Sequence, residues 1–250
     1  MSSTKPTIAC FGATGGCVAA ALASALKEGH HCTALARTPE KLRNLLTTGH
    51  GIPSATVDQY LAIYQGDVKD LAAVAKTLVN PMNGNLLVDV ILSGVGAYPT
   101  FQWSIRRPLP LTDPTICEDA IGTIYTALSN LFATSVTSTS TGQKPLLVVV
   151  STSGPLADKK NMERVVMGDR GKHVRDFVIM RPLFLTDGAA RGDDHLRVGW
   201  EWGIDRGEGE VKEPGPVIGY YISRKDVGEW TFNHVIAQGG WEGKCVYLSY

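Results

Sequence analysis

Short apolar runs and longer amphipathic stretches alternate along this chain. Apolar runs at residues 7–11, 32–36, 60–65, 86–92, 146–150 and 177–180 predict six strands. The stretches between and beside these strands have the residue pattern of helices, at residues 18–27, 40–46, 70–78, 113–135 and 158–167. Strands that alternate with helices in this way predict an α/β protein with a doubly wound parallel sheet, a Rossmann fold.

The part of the chain after the sixth predicted strand has a different character. Residues 186–219 contain many Gly, Trp and charged residues and show little periodicity, which predicts a loop-rich cap over the carboxyl ends of the strands. Ser223 is expected to cap a last helix at residues 223–237, before a last strand at 245–248. Thr38, followed by Pro39, predicts another helix start. No linker divides the chain, so we expect a single domain of residues 1–250 with this cap.

Charge and cysteine content exclude several classes of function. The 24 Lys and Arg residues balance 24 Asp and Glu residues, which leaves no field to steer nucleic acid or an anionic membrane. The five cysteines show no metal-ligand spacing, so reduced thiols and no metal site are expected. No run reaches the ~18 apolar residues of a membrane span. We therefore expect a soluble cytoplasmic protein, a monomer or homodimer, that acts on a small-molecule substrate.

A glycine-rich turn follows the first predicted strand and opens the first helix. Gly12, Gly15 and Gly16 in this turn would let the backbone approach a pyrophosphate closely and present N–H groups at a helix N-terminus. A tight turn without a ligand is the alternative. The strand–turn–helix context favours a dinucleotide site.

The end of the second predicted strand distinguishes the two nicotinamide dinucleotides. A carboxylate at this place would bind the ribose 2′-hydroxyl of NAD. The chain has Arg37 there and no carboxylate before Glu40. Arg37 can form a bidentate contact with a 2′-phosphate, or it can be a solvated surface arginine. The sequence therefore predicts NADP(H) rather than NAD(H).

Further motifs occur in the order typical of one family. They lie at residues 11–15, 35–42, 65–68, 93–96, 148–151, 176–182 and 222–227. With them the chain resembles atypical short-chain dehydrogenases of the NmrA-like and biliverdin-IXβ-reductase-like group over about residues 5–185. One position departs from the family pattern, because Val18 stands where a third glycine usually packs the helix against the strand. A slightly shifted first helix is expected.

The resemblance implies a role for each matching position. Around the pyrophosphate it implies Gly12, Thr14, Gly15, Gly16, Cys17 and Val18, and at the 2′-phosphate Arg37. It implies Asp67 and Val68 beside the adenine, Ser93, Gly94 and Val95 over the ribose, and Pro182 and Leu183 beside the nicotinamide.

The usual proton relay of short-chain dehydrogenases is incomplete in this chain. The family combines a Ser on the fifth strand with a Tyr and a Lys four residues later. Ser151 has the Ser position, but no tyrosine lies between it and Arg181. The remaining candidates are Tyr98, beyond the fourth strand, and Lys160, on the helix after the fifth. Tyr98 could equally be a packed loop aromatic, and Lys160 could form a surface ion pair with Glu163.

Other residues that could carry chemistry are also explained by chance spacing, surface exposure or packing. The Tyr221-x-x-x-Lys225 spacing is ascribed to chance because it follows the sixth strand, and His173 is expected at the surface. His195, Trp200 and Trp202 fall in the predicted cap, where they would contact an aromatic ligand or pack the lid.

The leading functional hypothesis is an NADPH-dependent reductase of a small, cyclic or aromatic, carbonyl or conjugated compound. Hydride transfer mainly requires orientation of the substrate, so a weak donor such as Ser151 or a solvent proton suffices. Two alternatives remain: a non-catalytic regulator that senses NADP(H), and an isomerase, dehydratase or cyclase of a biosynthetic pathway on the same fold.

Overall fold

The structure, a computed structural model, describes residues 5–96, 113–154, 156–203 and 212–250. Its strands are β1 (Ile8–Phe11), β2 (Cys32–Ala36), β3 (Leu61–Gln65), β4 (Val90–Ser93), β5 (Leu146–Val150), β6 (Asp176–Pro182), β7 (Phe184–Thr186), β8 (Arg197–Trp202), β9 (Tyr221–Ser223) and β10 (Lys244–Ser249). Its helices are α1 (Gly16–Lys27), α2 (Pro39–Asn44), α3 (Ser54–Tyr60), α4 (Leu71–Leu78), α5 (Ile116–Ala133), α6 (Ala157–Gly168) and α7 (Arg224–Trp230). Two π-helical segments, Leu45–Gly49 and Thr231–Gln238, continue α2 and α7.

Eight strands form one sheet in the order β3-β2-β1-β4-β5-β6-β10-β8. All neighbours are parallel except β8, which runs antiparallel to β10. The strand order reverses between β1 and β4, where Ile8 pairs with Cys32 on one side and Val90 on the other. In such sheets this reversal opens a crevice at the carboxyl ends of the strands, which is where ligands bind.

The sheet buries apolar side chains on both faces. Successive residues of a strand point to opposite faces, so Ile8 and Cys10 of β1 pack with α1 and α7, while Ala9 and Phe11 pack with α4, α5 and α6. A continuous apolar strand such as β5 is the consequence of this double coverage. The predicted doubly wound Rossmann sheet is confirmed.

Several elements differ from the sequence prediction. Strand β4 begins at Val90 rather than residue 86, because the buried Leu87 and Val88 bond to Ser138 and Leu78 outside the sheet. Helix α3 was not predicted. Thr38 precedes α2, but its side chain makes no capping hydrogen bond.

The C-terminal region also contains more regular structure than expected. Within the predicted cap, β8 forms an edge strand of the main sheet, and its Trp200 and Trp202 rings lie 4.6 and 5.4 Å from the Lys244 ammonium. His195 ends a 3₁₀ turn. Ser223 caps α7 as predicted, since its side chain accepts a hydrogen bond from the Asp226 backbone N–H.

His173 is buried, so the surface prediction for it is wrong. Its Nδ1 lies 2.5 Å from Asp169 and its Nε2 lies 3.0 Å from the Ser129 hydroxyl, while its ring stacks on Tyr125 with 4.6 Å between centroids. These contacts fasten the loop after α6 to α5. His173 therefore has a packing role on the face of the sheet covered by α5 and α6.

All five cysteines are buried and none forms a disulfide, as expected for reduced thiols. The described residues include no cluster of His, Cys, Asp and Glu that could hold a metal ion. None of the helices in the described ranges is both long enough and apolar enough to pass through a membrane.

Candidate functional site

A cleft of about 570 Å³ opens at the carboxyl ends of β1, β2 and β4. Eight of the predicted cofactor residues line it: Gly12, Thr14, Gly15, Arg37, Asp67, Val68, Gly94 and Val95. The other lining residues are Ala13, Leu35, Ala36, Gly66, Lys69, Gly96, Asp113 and Ile116. The cleft therefore lies at the strand-order reversal, with the glycine-rich turn as one wall.

The glycine-rich turn is held tightly against the loop after β4. Gly12 has φ of +73°, and the Gly15 N–H donates to the Gly12 carbonyl at 2.8 Å. A Cβ on Gly12 would lie 2.8 Å from the carbonyl carbon of Gly94, so no other residue fits there. Helix α1 begins directly after the turn, and the N–H groups of its first turn have no acceptor within the helix. These groups give the cleft a partial positive charge.

Val18, the departure from the family pattern, packs directly on Gly94. A Cβ on Gly94 would lie 2.4 Å from the Val18 Cγ2 atom. The small residue that permits close approach is therefore on the β4 side rather than on α1. The Cys17 and Val18 side chains are buried, so only their backbone N–H groups can face a ligand.

Arg37 and Lys69 are the two cations among the described residues that line the cleft, and their environments differ. The Lys69 ammonium bonds Asp113 at 2.8 Å and Asp119 at 2.9 Å, and these hydrogen bonds raise its pKa above the usual value. Arg37 is exposed and makes no ion pair or hydrogen bond with any described residue. Arg37 is therefore the cation with its charge available to a ligand.

Ser151 lies directly after β5, with 3% of its surface exposed. Its backbone N–H donates to the Met180 carbonyl at 2.7 Å. Its buried hydroxyl has no hydrogen-bond partner among the residues that the structure describes. A buried hydroxyl without a partner costs free energy, and such sites often serve a ligand.

The lysine that reaches this region is Lys159. Its ammonium donates to the carbonyls of Val95 and Val150, both at 2.8 Å, and so bridges the ends of β4 and β5. Lys160, the predicted candidate, is exposed on α6. Glu163 does not pair with Lys160 either, because it is buried and binds the Arg181 guanidinium at 2.8 Å. The surface ion pair between Lys160 and Glu163, the alternative to a catalytic role for Lys160, is therefore not formed.

Asp158 positions Lys159. Its carboxylate accepts hydrogen bonds from the backbone N–H groups of Cys117 and Glu118, both at 3.0 Å, and so caps the start of α5. The first turn of α6 is thereby docked on α5, and the next residue, Lys159, reaches the strand ends. The Cys117 thiol also donates to Val95, and burial raises its pKa to about 12. Cys117 is therefore a neutral thiol.

Some of the residues predicted from the sequence do not line the cleft. Gly16 begins α1, Ser93 ends β4, Pro182 ends β6 and Leu183 follows it, and none of these four lines the cleft. Tyr98 is outside the described residues.

The Tyr221-x-x-x-Lys225 spacing brings no relay together. The Tyr221 hydroxyl bonds the Arg191 guanidinium at 3.0 Å, and Lys225 lies 3.9 Å from Glu229. Both side chains have partners of their own, as expected for a spacing that arises by chance.

Arg181 is a charged residue whose role the sequence did not indicate. Its guanidinium bonds Glu163, Glu201 and the Tyr247 hydroxyl, and the Tyr247 hydroxyl donates to Glu201 at 2.8 Å. Burial and a hydrogen bond to Glu201 raise the pKa of Tyr247 to about 12. The network ties α6 to the β10–β8 edge, and α6 carries Lys159.

Several solved structures share the fold of this chain. A Rossmann-fold NAD(P)-binding family protein from Shigella flexneri matches 99% of this chain and 94% of its own, with a TM-score of 0.60 and 16% identity. An anaerobilin reductase from Escherichia coli O157:H7 matches 98% and 97%, with a TM-score of 0.54 and 17% identity. The fold is the Rossmann NAD(P)-binding fold.

Sequence relatives define the family, although no protein-family model matches the chain. Reductase pytE of Aspergillus terreus is 37% identical over 285 aligned positions that span 100% of both proteins. Oxidase pynE of Aspergillus niger is 34% identical and spans 98% of this chain and 99% of its own. The chain belongs to this family of oxidoreductases, atypical short-chain dehydrogenases of the NmrA-like type.

Proposed function

We propose that the protein is an NADP(H)-dependent oxidoreductase that reduces a small, cyclic or aromatic, carbonyl or conjugated compound. The observation that carries the cofactor assignment is Arg37 at the end of β2, a cation without an ion-pair partner among the described residues. It lines a cleft whose other wall is the glycine-rich turn. A carboxylate at this place would repel a 2′-phosphate, and none is present before the exposed Glu40.

The residues around the cleft fit a dinucleotide. The turn from Gly12 to Gly16 and the backbone N–H groups of Cys17 and Val18 would hold the pyrophosphate. Asp67 and Val68 would flank the adenine, Ser93, Gly94 and Val95 would cover the ribose, and Pro182 and Leu183 would lie beside the nicotinamide. A bound NADPH would supply a hydride at C4 of its nicotinamide ring.

Ser151 and Lys159 are the side chains that we assign to the substrate. The Ser151 hydroxyl is buried, lacks a partner in the described part of the chain, and would hydrogen-bond the substrate oxygen. Lys159 uses two of its three N–H donors on strand carbonyls, so its charge is fixed in place. A fixed ammonium stabilises negative charge that develops on a carbonyl oxygen. The substrate carbon gains the hydride and its oxygen gains a proton from solvent.

The relatives favour redox chemistry over the alternatives. Their names are reductase and oxidase, which fits a consumed cofactor better than a regulator that only senses NADP(H). An isomerase, dehydratase or cyclase would convert its substrate without loss of NADPH. Trp200 and Trp202 pack on Lys244 where β10 begins, at the end of the strands opposite the cleft, so they are not assigned to the substrate.

The test is hydride transfer from labelled cofactor. Purified protein is incubated with NADPH deuterated at C4 and a panel of cyclic and aromatic carbonyl compounds, and both loss of 340 nm absorbance and deuterium in the product are measured. Lys159→Met is expected to lower kcat about 100-fold, whereas Lys160→Met, one residue along the same helix, is expected to leave it unchanged. Conversion without NADPH loss, or equal effects of the two variants, would contradict the proposal.

A further inference from the structure

Arg224, the first residue of α7, lies against the glycine-rich turn. Helices α7 and α1 pack closely at Gly228, where an added Cβ would lie 2.2 Å from the Cys17 carbonyl oxygen. One turn earlier on α7, a Cβ on Gly16 would lie 2.7 Å from the Arg224 Cδ atom. The aliphatic part of Arg224 therefore fills the space beside Gly16, at the start of α1.

The guanidinium of Arg224 forms an ion pair with Asp187, whose side chain is mostly in solvent. Its Nη1 lies 2.6 Å from Asp187, whose side chain is 88% exposed, while the Arg224 side chain is 35% exposed. An ion pair with one partner largely in water contributes little free energy and exchanges readily. Packing on α1 holds Arg224 in place, whereas Asp187 lies at the surface after β7.

The positive charge of Arg224 acts on the Cys17 thiol in the first turn of α1. Burial raises the pKa of the Cys17 thiol to about 12, and Arg224 opposes this rise more than any other charged group does. Because the Arg224 side chain packs beside Gly16, the first residue of α1, the N–H groups that would hold a pyrophosphate are within reach of its guanidinium. The N-terminus of a helix supplies only about half a positive charge. The two negative charges of a pyrophosphate are therefore not neutralised by α1 alone, and a nearby cation would add to their binding.

We propose that Arg224 is a second phosphate-binding arginine of the dinucleotide site, and that Asp187 is the counterion it exchanges for pyrophosphate oxygens. The inference rests on the proposed function. Arginine suits this contact because its planar group can bind two phosphate oxygens at once. Release of Asp187 would also couple the segment after β7 to occupancy of the cofactor site.

The two arginines then have separable effects on ligands. Arg37 faces a phosphate that NADPH has and NADH lacks. Arg224 faces the pyrophosphate that both dinucleotides share. Adenosine 2′-monophosphate completes the set, because it carries the 2′-phosphate without a pyrophosphate.

The experiment measures dissociation constants by calorimetry for NADPH, NADH and adenosine 2′-monophosphate, without substrate. Arg224→Gln is expected to weaken both dinucleotides about tenfold, the loss of about 1.4 kcal/mol from a charge-assisted hydrogen bond. Binding of adenosine 2′-monophosphate stays unchanged. Arg37→Gln is expected to weaken NADPH and adenosine 2′-monophosphate and to leave NADH unchanged. Lys225→Gln, the loss of a neighbouring exposed charge, serves as the matched control and leaves all three constants unchanged.

Asp187→Asn supplies a test of opposite sign. Removal of the competing carboxylate is expected to strengthen both dinucleotides about threefold, and this gain disappears in the Asp187→Asn/Arg224→Gln double variant. Asp187 is exposed, so this variant folds even if Arg224→Gln does not. Thermal unfolding of each protein without ligand measures any structural effect.

Three results would overturn the inference. Wild-type affinity of Arg224→Gln for both dinucleotides would leave Arg224 as a packing residue. Equal weakening of all three ligands by Arg224→Gln would indicate a distorted turn instead of a lost phosphate contact. If the wild-type protein binds none of the three ligands, the proposed function itself fails and this inference fails with it.

Discussion

The contact between Val18 and Gly94 predicts an unusual pair of substitutions. Gly94→Ala would place a methyl group 2.4 Å from the Val18 Cγ2 atom, where carbon atoms normally stay about 3.5–4.0 Å apart. The Val18 Cβ follows at 3.7 Å, and the nearest atom of any other residue, the Val150 Cβ, is at an ordinary 3.8 Å. The clash is therefore with one side chain, which Val18→Ala removes.

The expected magnitudes follow from this geometry. Overpacking by Gly94→Ala is expected to cost about 1–3 kcal/mol of the free energy of unfolding. Val18→Ala deletes two buried carbons and costs about 1.5–2 kcal/mol. The double variant fills part of the space that Val18→Ala leaves, so it should be no less stable than Val18→Ala alone. The coupling free energy is then about 1–3 kcal/mol in favour of the pair.

The assay is urea unfolding of the wild type, both single variants and the double variant. The smaller conformational entropy of an unfolded chain with Ala instead of Gly adds to both Gly94→Ala measurements and cancels in the cycle. Effects that add to within about 0.5 kcal/mol would refute the claim that Gly94 replaces the missing family glycine by accommodating Val18.

Three further predictions concern the contacts that hold the site. Asp158→Ala leaves two N–H groups at the start of α5 without an acceptor and is expected to cost about 1–2 kcal/mol in urea unfolding, whereas a Lys160→Ala control should cost almost nothing. Arg181→Met leaves the buried Glu163 carboxylate without its cation and should cost about 3–5 kcal/mol; a stability equal to that of the wild type would mean that the network is neutral. Burial raises the pKa of Asp226, but hydrogen bonds from the Tyr250 hydroxyl and backbone N–H groups outweigh it and hold the pKa below 3.8. Asp226 therefore stabilises the fold above pH 3.8 and loses this effect as the pH falls further. Asp226→Asn should flatten the acid side of a plot of unfolding free energy against pH. An unchanged slope would contradict the assignment.

Strands β2 and β5 were predictable because both are short apolar runs buried by helices on each side. The same signal failed for β4, since Leu87 and Val88 are equally apolar but pack outside the sheet. Strand β8 was missed because it lies at the sheet edge and alternates Trp with charged and small residues. Apolar content reports burial, and burial alone does not reveal which backbone groups pair.

The cleft was more predictable than the side chains that reach the strand ends beside it. The glycine-rich turn and Arg37 directly follow strands in the sequence, so their place in the cleft could be predicted from local pattern. The reach of Lys159 to the strand ends was not predicted, because only the docking of Asp158 on α5 decides which of two adjacent lysines faces them. An Asp-Lys pair in the first turn after the fifth strand was the available signal. The role of Arg224 depends on α7 packing against α1, a contact between residues some 200 positions apart that local sequence does not encode.

The central claim is that this oxidoreductase uses NADP(H) because Arg37 binds the 2′-phosphate. The most direct measurement compares dissociation constants for NADPH and NADH in the wild type and in Arg37→Glu. The wild type should bind NADPH more tightly, and Arg37→Glu should weaken NADPH by about 100-fold, the loss of one charge-assisted contact and the gain of one repulsion, while NADH changes little. Equal weakening of both dinucleotides, or a wild type that prefers NADH, would contradict the account.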